Sequence, residues 1–159
     1  MTAMATATGA NNPGPAEWRA RFREAFENIG FFGHIGAELV SIDRGVCEMR
    51  VRRRPELLQH TGVIHGGVVG ALADSAMGTA AYTVLPAGAS SRTSILTAEY
   101  KVNFLRPAAG EALLARARVL KPGRTLTVVA CDLFSVSGSG EVLCATALAT
   151  MMAVEQAGN

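Results

Sequence analysis

Charged side chains are scarce in this sequence of 159 residues, in which they occupy 18% of the positions. They are almost absent between Leu57 and Ser91, where Asp74 is the only residue with a formal charge. An ionised carboxylate in apolar surroundings loses hydration that little there can replace. An isolated acid in such a stretch is therefore a candidate functional group.

The chain as a whole carries little net charge. A formal charge of +2 gives no reason to expect a nucleic-acid or membrane partner, because both are attracted by strongly basic surfaces. A local basic cluster does occur at Arg50, Arg52, Arg53 and Arg54. It fits a solvated strand edge and also an anion-steering patch, and the sequence leaves both interpretations open.

Cysteine is scarce as well, with only Cys47, Cys131 and Cys144 in the chain. Their odd number and their spacing do not fit a metal site, so we predict buried, reduced thiols and no bound metal. The N-terminus has no basic segment followed by an apolar core, and no arginine precedes Arg19, which disfavours a secretory signal or a transit peptide. We expect a cytoplasmic protein.

Long hydrophobic runs are missing, apart from one. Residues 62–85 are numerous enough to cross a bilayer, but they include His65, Asp74 and five glycines, which disfavour a membrane span. We therefore predict no membrane-spanning segment. A hydrophobic fraction of 49% in 159 residues is enough for one domain with a substantial apolar core.

The N-terminal part divides into a leader and a helix. Residues 1–15 lack periodicity, which predicts a disordered leader ahead of a single domain over 16–154. Apolar residues at helical spacing then predict an N-terminal helix over about 16–29. Gly30 and Gly33 are expected to end this helix, since glycine is a common helix terminator.

Six strands and one central helix make up the rest of the predicted domain. Alternating apolar residues between turn signals place the strands at 37–43, 46–53, from 93 onward, 111–120, 125–135 and 142–154. In the third strand, alternate residues from Leu96 to Phe104 form the predicted apolar face, with Thr97 on the polar side. The central helix covers about 66–82. Because short links favour antiparallel pairing, we predict an α+β fold with an antiparallel sheet wrapped around that helix.

The central helix has two unlike faces. At about 100° per residue, one stripe has ordinary core spacing and consists of Val69, Leu72, Ala73, Ala76 and Ala80. Asp74 lies on the opposite face among small residues, which are Gly67, Gly70, Ala71, Gly78 and Ala81. Glycine inside a helix costs roughly 1 kcal/mol relative to alanine. We therefore expect another backbone or a slender ligand to approach this face closely.

The start of the central helix offers a second chemical group. Backbone N–H groups at His65-Gly66-Gly67 lack intrahelical partners and can hold the oxyanion that forms when a carbonyl is attacked. However, eight residues separate Gly66 from Asp74, roughly 12 Å along a helix. One chain can hardly bring both groups to the same carbonyl. Acyl transfer or hydrolysis at this helix therefore predicts a homodimer in which antiparallel helices share their sites.

Two motifs carry a resemblance to a known family. The stretch from Gln59 to Ala81, with His-Gly-Gly followed by Leu-Ala-Asp, and the segment Asn-Phe-Leu-Arg-Pro-Ala at 103–108 resemble the hotdog-fold acyl-CoA thioesterases of the phenylacetic-acid-degradation (PaaI-like) type. The resemblance covers about 37–153. It implies a hotdog fold, in which a curved antiparallel sheet wraps one long helix, with dimers and often tetramers. It also implies hydrolysis of an acyl-CoA to free acid and CoA without a metal or prosthetic group.

The resemblance assigns roles to individual residues. Asp74 matches the family's catalytic carboxylate, which acts as nucleophile or as general base on water. Gly66 matches the glycine whose N–H holds the thioester oxygen. Gln59 matches a residue that orients water or substrate from the partner chain, and Thr97 falls near a Ser or Thr that assists the carboxylate. His65 is either a base or a residue that orients Gly66 and Gln59.

Residues that would hold the CoA moiety are expected in loops. Coenzyme A carries three phosphate groups, which favour arginine partners. Arg106 and the pair Arg124-Thr125 lie in turns where the family often contacts the cofactor moiety, and Gly67 is assigned to substrate binding beside Gly66. The two arginines also fit solvated turn charges, and both interpretations stay open.

Two other functions remain open at this level. Dehydratases and hydratases of the same fold act on acyl-CoA and tend to place a catalytic histidine at the helix entry, a position that His65 occupies. A non-catalytic acyl-CoA binding domain would need neither Asp74 nor turnover. A Ser-His-Asp triad is not supported, because no serine lies on a strand-to-helix turn with a partner histidine. The acyl group cannot be read from these residues.

Overall fold

The computed structural model describes residues 29–86, 92–138 and 140–156, together with the single positions 16, 20, 22 and 89. The predicted leader over 1–15 and most of the predicted helix over 16–29 lie outside the described residues. Positions 16, 20 and 22 of that helix are helical. Phe22 is buried, and its ring meets the Tyr82 ring edge-on at 5.4 Å between centroids.

The elements within the described ranges form one antiparallel sheet and a long helix. In chain order they are α1 (Gly30–Ile35), β1 (Ala37–Asp43), β2 (Val46–Arg52), a 3-10 turn (Pro55–Leu57), α2 (Gly66–Tyr82), β3 (Thr93–Phe104), β4 (Ala112–Lys121), β5 (Leu126–Ser137) and β6 (Gly140–Glu155). The strand order is β1-β2-β4-β5-β6-β3, and every neighbouring pair is antiparallel. Since α2 contacts all six strands, the predicted α+β architecture is confirmed.

Gly30 and Gly33 were predicted to end the helix over about 16–29, whose last turn lies outside the described residues. Both glycines belong to the separate helix α1, where a Cβ at either position would meet no described atom within 4 Å. The terminator is Gly36, which adopts φ +68 and donates its N–H to the carbonyls of Phe32 and Gly33. Glycine weakens a helix by about 1 kcal/mol but stops it only where the chain needs a left-handed backbone.

The core lies between α2 and the inner face of the sheet. The predicted core stripe of α2, from Val69 to Ala80, is buried throughout. It packs against alternate residues of the central strands, which include Met49, Leu113, Val129 and Met151. Among the described residues, no helix is both long enough and apolar enough to cross a bilayer.

We expect Leu72→Ala to destabilise the fold by about 2–5 kcal/mol, the range for truncating a large apolar side chain in a packed core. Leu72 is completely buried in α2. Urea denaturation of both proteins measures the difference. Leu148→Ala is the matched control, because Leu148 is 48% exposed on β6 and should change stability by less than about 0.5 kcal/mol. Equal losses for the two variants would contradict this packing.

The three cysteines are buried and free, as predicted. Burial raises the pKa of the Cys131 thiol to about 12, and it also raises the pKa values of Cys47 and Cys144. A protonated, enclosed thiol is a poor nucleophile. We therefore expect no reaction of the native protein with a disulfide reagent at pH 8, and three equivalents of reaction after denaturation. A rapid native reaction would contradict the burial of these side chains.

Strand β3 contains a bulge that changes which side chains face α2. Thr97 pairs with Met151 and Glu99 pairs with Thr150, so Ala98 is an extra residue in the ladder. The alternation of side chains therefore shifts by one position at this point. The predicted apolar face is wrong at its start, because Leu96 is 53% exposed while Thr97, predicted on the polar side, bonds to a residue of α2.

Candidate active site

The start of α2 leaves one backbone N–H unused. His65 is the N-cap in an extended conformation, and its Nδ1 accepts a hydrogen bond from Gly67 N–H at 2.9 Å. Gly66 N–H makes no hydrogen bond with any residue that the structure describes. The helix dipole adds partial positive charge at this end. Gly66 therefore presents a polarised donor, whereas Gly67, a predicted binding residue, has its N–H occupied by His65.

Backbone bonds fix the direction in which α2 begins. His65 N–H donates to the Leu57 carbonyl at 2.8 Å, and Ile64 N–H donates to the Ala108 carbonyl at 3.0 Å. Val68 N–H in turn donates to the His65 carbonyl at 2.9 Å. His65 thus acts in this chain as a helix cap, which matches the orienting role among the two that the sequence left open.

Side chains of β3 cover part of the small-residue face of α2. A Cβ at Gly70 would lie 3.1 Å from the Tyr100 hydroxyl, and a Cβ at Gly66 would lie 3.4 Å from Phe104 Cζ. Within this chain the close approach is thus made by two aromatic side chains of β3 and not by another backbone, which was one of the two predicted neighbours. At Gly78, one turn beyond Asp74, a Cβ would meet nothing within 4 Å. Open space therefore adjoins the acid on one side.

Asp74 lies half-buried on this face, and β3 holds its carboxylate. The Thr97 hydroxyl donates a hydrogen bond to Asp74 Oδ1 at 2.6 Å and lies 3.5 Å from the Met151 sulfur. Within the described residues, no cation lies within 4.0 Å of Asp74. Thr97 therefore holds Oδ1, and Oδ2 has no hydrogen-bond partner within the part of the chain that the structure describes.

Gln59, a further predicted site residue, lies near the start of α2. Gln59 lies in the loop before α2, half-buried, with its Nε2 donating to the Thr61 hydroxyl at 2.9 Å. It lies on the Gly66 side of the helix, two residues from the Leu57 carbonyl that accepts from His65. A single chain thus groups Gln59 with Gly66 and groups Thr97 with Asp74, about 12 Å apart along α2.

The predicted CoA-binding residues lie at opposite ends of β6. Arg106 is exposed and donates to the Leu143 carbonyl at 3.1 Å. Arg124 and Thr125 line a cleft of about 280 Å³ at the other end of the strand, together with Thr93 and Ala153. The ten steps between residues 143 and 153 span about 33 Å of extended strand. One chain therefore does not bring Arg106 and Arg124 together.

Two contacts at this site were missed by sequence reasoning. Tyr100 and Phe104 were placed on an apolar strand face, but their contacts with Gly70 and Gly66 were not predicted. The signal for Tyr100 was its hydroxyl on an otherwise apolar face. The contact of Thr97 with Asp74 was expected from the family resemblance but not from the strand pattern, because the bulge at Ala98 does not show in the alternation.

Comparisons with known proteins identify the family. The sequence profile of the Thioesterase superfamily matches residues 61–142. A relative from Saccharolobus solfataricus, named as a candidate esterase, is 31% identical over 127 residues, which cover 80% of this chain and 79% of that protein. A crystal structure of a thioesterase family protein from Silicibacter pomeroyi is 34% identical with a TM-score of 0.80, covering 87% of this chain and 99% of that one.

A further neighbour bears on the fold alone. The E. coli PaaI protein from the phenylacetic acid degradation operon has a TM-score of 0.76 at 20% identity, over 89% of this chain and 96% of that one. The hotdog fold and the thioesterase resemblance predicted from the two sequence motifs are thereby confirmed. This chain belongs to the thioesterase superfamily, and it is a hydrolase of thioesters.

Proposed function

We propose that this protein hydrolyses an acyl-CoA to the free acid and CoA, with Asp74 as the catalytic carboxylate. The observation that carries the proposal is the Asp74 carboxylate, which Thr97 holds at 2.6 Å and which no described cation neutralises. An oriented anion with a free oxygen is the group that thioester hydrolysis requires, as attacking nucleophile or as base for water.

In the proposed reaction Gly66 N–H donates to the thioester carbonyl oxygen and stabilises the negative charge that develops on it. Its hydrogen is not used within the described chain, and a donor at a helix start suits an oxyanion. Asp74 either takes a proton from the attacking water or attacks the carbonyl carbon itself. The C–S bond then breaks, and the CoA thiolate takes up a proton as it leaves. In the second case water then hydrolyses the resulting anhydride to the free acid and Asp74.

Because Gly66 and Asp74 are about 12 Å apart on one helix, the reaction needs a second chain. Strand β3 offers a place for it, since it is twelve residues long and bonded on one side only, to β6. A long free edge is a template for pairing with another chain. Tyr100 and Phe104 on this strand are 44% and 62% exposed, so they would also bury apolar area on pairing.

The proposed two-fold axis passes beside Gly70 and Tyr100. Gly70 is the midpoint between Gly66 and Asp74, and a Cβ there would lie 3.1 Å from the Tyr100 hydroxyl. An axis at this point makes the two copies of α2 antiparallel and puts Gly66 of one chain beside the partner's Asp74. Each copy of α2 then contributes Gly66 to one site and Asp74 to the other. This dimer is the smallest active unit, and further pairing into tetramers is compatible with it.

The same symmetry supports CoA as part of the substrate. Antiparallel pairing of β3 places its Phe104 end beside the Thr93 end of the partner strand. Arg106 of one chain then lies at the same end of the site as the cleft formed by Arg124 and Thr125 of the other. Arginines from two chains would thus face the phosphates of one CoA. Coenzyme A enters as substrate, and we propose a cytoplasmic reaction without metal or prosthetic group.

A panel of acyl-CoA esters, assayed for thiol release with Asp74→Ala as the blank, tests this function. We expect the wild-type protein to release thiol from at least one ester. The Asp74→Ala variant should release thiol only at the rate of the uncatalysed reaction. Formation or hydration of a double bond without thiol release would instead identify a dehydratase or hydratase. Such an enzyme would use His65 as its base, but His65 Nδ1 already accepts a hydrogen bond from Gly67 N–H at 2.9 Å. Saturable binding of every ester without turnover would identify a binding domain.

We expect Thr97→Val to lower kcat by about tenfold. This factor corresponds to the lower end of the energies measured for hydrogen bonds to charged groups. Valine keeps the shape of the side chain but removes the hydroxyl that orients Asp74 Oδ1. Steady-state kinetics on the best ester of the panel measure the change. Thr97→Ser is the control and should stay near the wild-type rate. A valine variant as active as the serine variant would remove Thr97 from the mechanism.

A further inference from the structure

The loop before α2 carries Gln59 and leads directly to Gly66. A bridge between Leu58 and Ile64 closes the base of the loop. Gln59 N–H donates to the Val63 carbonyl at 2.9 Å, and Gly62 N–H donates to the Gln59 carbonyl at 2.9 Å. These bonds give the loop its shape, but the tip also has to be fixed relative to the rest of the chain.

Arg53 supplies that connection. Its guanidinium donates to the Gly62 carbonyl at 2.5 Å and to the Ala109 carbonyl at 3.4 Å. Its own backbone is anchored, because Arg53 N–H donates to the Glu111 carbonyl at 2.8 Å. Arg53 therefore ties the tip of the loop to the turn after β3. A planar guanidinium can hold two carbonyls at once, which a lysine ammonium does with less directional control.

The other arginines of the basic cluster point elsewhere. Arg50 and Arg52 both pair with Glu38 across β1 and β2, and the hydrogen bond from Arg50 lowers the pKa of that carboxyl. Arg54 donates to the carbonyl of His34 in α1 and lies 4.0 Å from the Glu56 carboxylate. Arg53 differs from these neighbours, since within the described residues its side chain bonds to backbone carbonyls and to no carboxylate. For Arg53, these carbonyl contacts add a third interpretation beside the solvated edge and the anion-steering patch.

We infer that Arg53 is a positioning residue for the thioesterase site, acting through the Gly62 carbonyl on Gln59. The inference rests on the proposed function, in which Gln59 orients water or substrate at the partner's Asp74. Loss of the guanidinium frees the loop tip from the turn at 107–110. Gln59 then samples more positions, and small misplacements of an orienting group are costly to the chemical step.

Arg53→Ala and Arg53→Lys test the inference against Arg54→Ala. Arg54 is the matched control, because it is the adjacent arginine and also donates to a carbonyl, but in α1 and not in the loop that carries Gln59. We expect Arg53→Ala to lower kcat about tenfold, with KM changed less than about twofold. The kcat of Arg53→Lys should lie between those of Arg53→Ala and wild type. Arg54→Ala should keep the wild-type kcat. Thermal melting shows that each variant is folded at the assay temperature.

A double-mutant cycle with Gln59→Ala separates positioning from general destabilisation. If Arg53 acts through Gln59, the Arg53→Ala change should lower kcat less than about twofold in the Gln59→Ala background. Additive effects, or equal losses for Arg53→Ala and Arg54→Ala, would overturn the inference. The proposed function fails separately, if Asp74→Asn hydrolyses thioesters at the wild-type rate.

Discussion

Asp74→Asn should lower thioester hydrolysis by on the order of 10³-fold, through kcat and with little change in KM. Asparagine keeps the shape of the side chain and can still accept the Thr97 hydrogen bond at Oδ1. At the second position, however, an amide nitrogen replaces the free oxygen. It has no lone pair available to attack the carbonyl or to accept a proton from water. Steady-state kinetics and circular dichroism of the purified variant test this result.

Ser75→Ala provides the control for Asp74→Asn. Ser75 follows the acid in α2, but its hydroxyl donates to the Ala71 carbonyl at 2.8 Å and so takes no part in the proposed site. Its activity should remain within about twofold of wild type, since surface changes away from key features have small effects. An Asp74→Asn variant with wild-type turnover would exclude the carboxylate from the reaction. Single turnover in ¹⁸O-water adds a second readout, because label in Asp74 would identify it as the nucleophile.

Gly66→Pro should lower kcat by about 10²–10³-fold, the effect of removing one oxyanion donor. Gly66 is the first residue of α2, where proline is tolerated because no intrahelical bond is lost. His65 is extended at φ −62 and ψ 138, a conformation that suits the residue before proline. The substitution thus removes the N–H without breaking an intrahelical hydrogen bond, and it adds the proline ring beside Phe104. The measurement is kcat/KM together with a melting curve that shows an intact fold.

Gly66→Ala is the matched control for Gly66→Pro. Both variants place a Cβ 3.4 Å from Phe104 Cζ, so any crowding there is common to the two, and only proline removes the N–H. We expect the alanine variant to keep most of the wild-type kcat. Equal losses in the two variants would attribute the effect to Phe104 rather than to the oxyanion donor.

Co-expression of Gly66→Pro with Asp74→Asn tests whether sites are shared between chains. In a mixed dimer, one site combines both defects, and the other combines an intact Gly66 with an intact Asp74. Random assembly then recovers about a quarter of wild-type activity from two inactive proteins, since half the dimers are mixed and each has one working site. Sites contained within one chain would recover none.

Much of the fold followed from local patterns in the sequence. The limits of α2 were predicted because a single helix start and a core stripe define them, and the β1–β2 turn was predicted from Arg44-Gly45, where Gly45 adopts φ +76. Thr97 was placed on the wrong side of β3, because a bulge depends on pairing with β6 rather than on local residues. The direction of Arg53 also depends on distant carbonyls.

The candidate site also contains features that the sequence predicted and features that it did not. The isolated acid and the helix start could be found from the sequence, because both follow from the spacing of residues within one element. Their separation on that helix even predicted the need for a second chain. The roles of Tyr100 and Phe104 could not be found, because they arise where β3 crosses α2. Contacts between elements far apart in the chain leave little trace in local periodicity.

The position of Gly66 and Asp74 on one continuous helix has a consequence for cooperativity. In the proposed dimer, α2 gives its first residue to one site and its ninth to the other. A helix of this length moves as a nearly rigid body, so a tilt that brings Gly66 onto one substrate also shifts Asp74 at the second site. Occupancy of the two sites is thereby linked. We expect binding of a non-hydrolysable acyl-CoA analogue to give unequal affinities for the first and second molecules on each dimer.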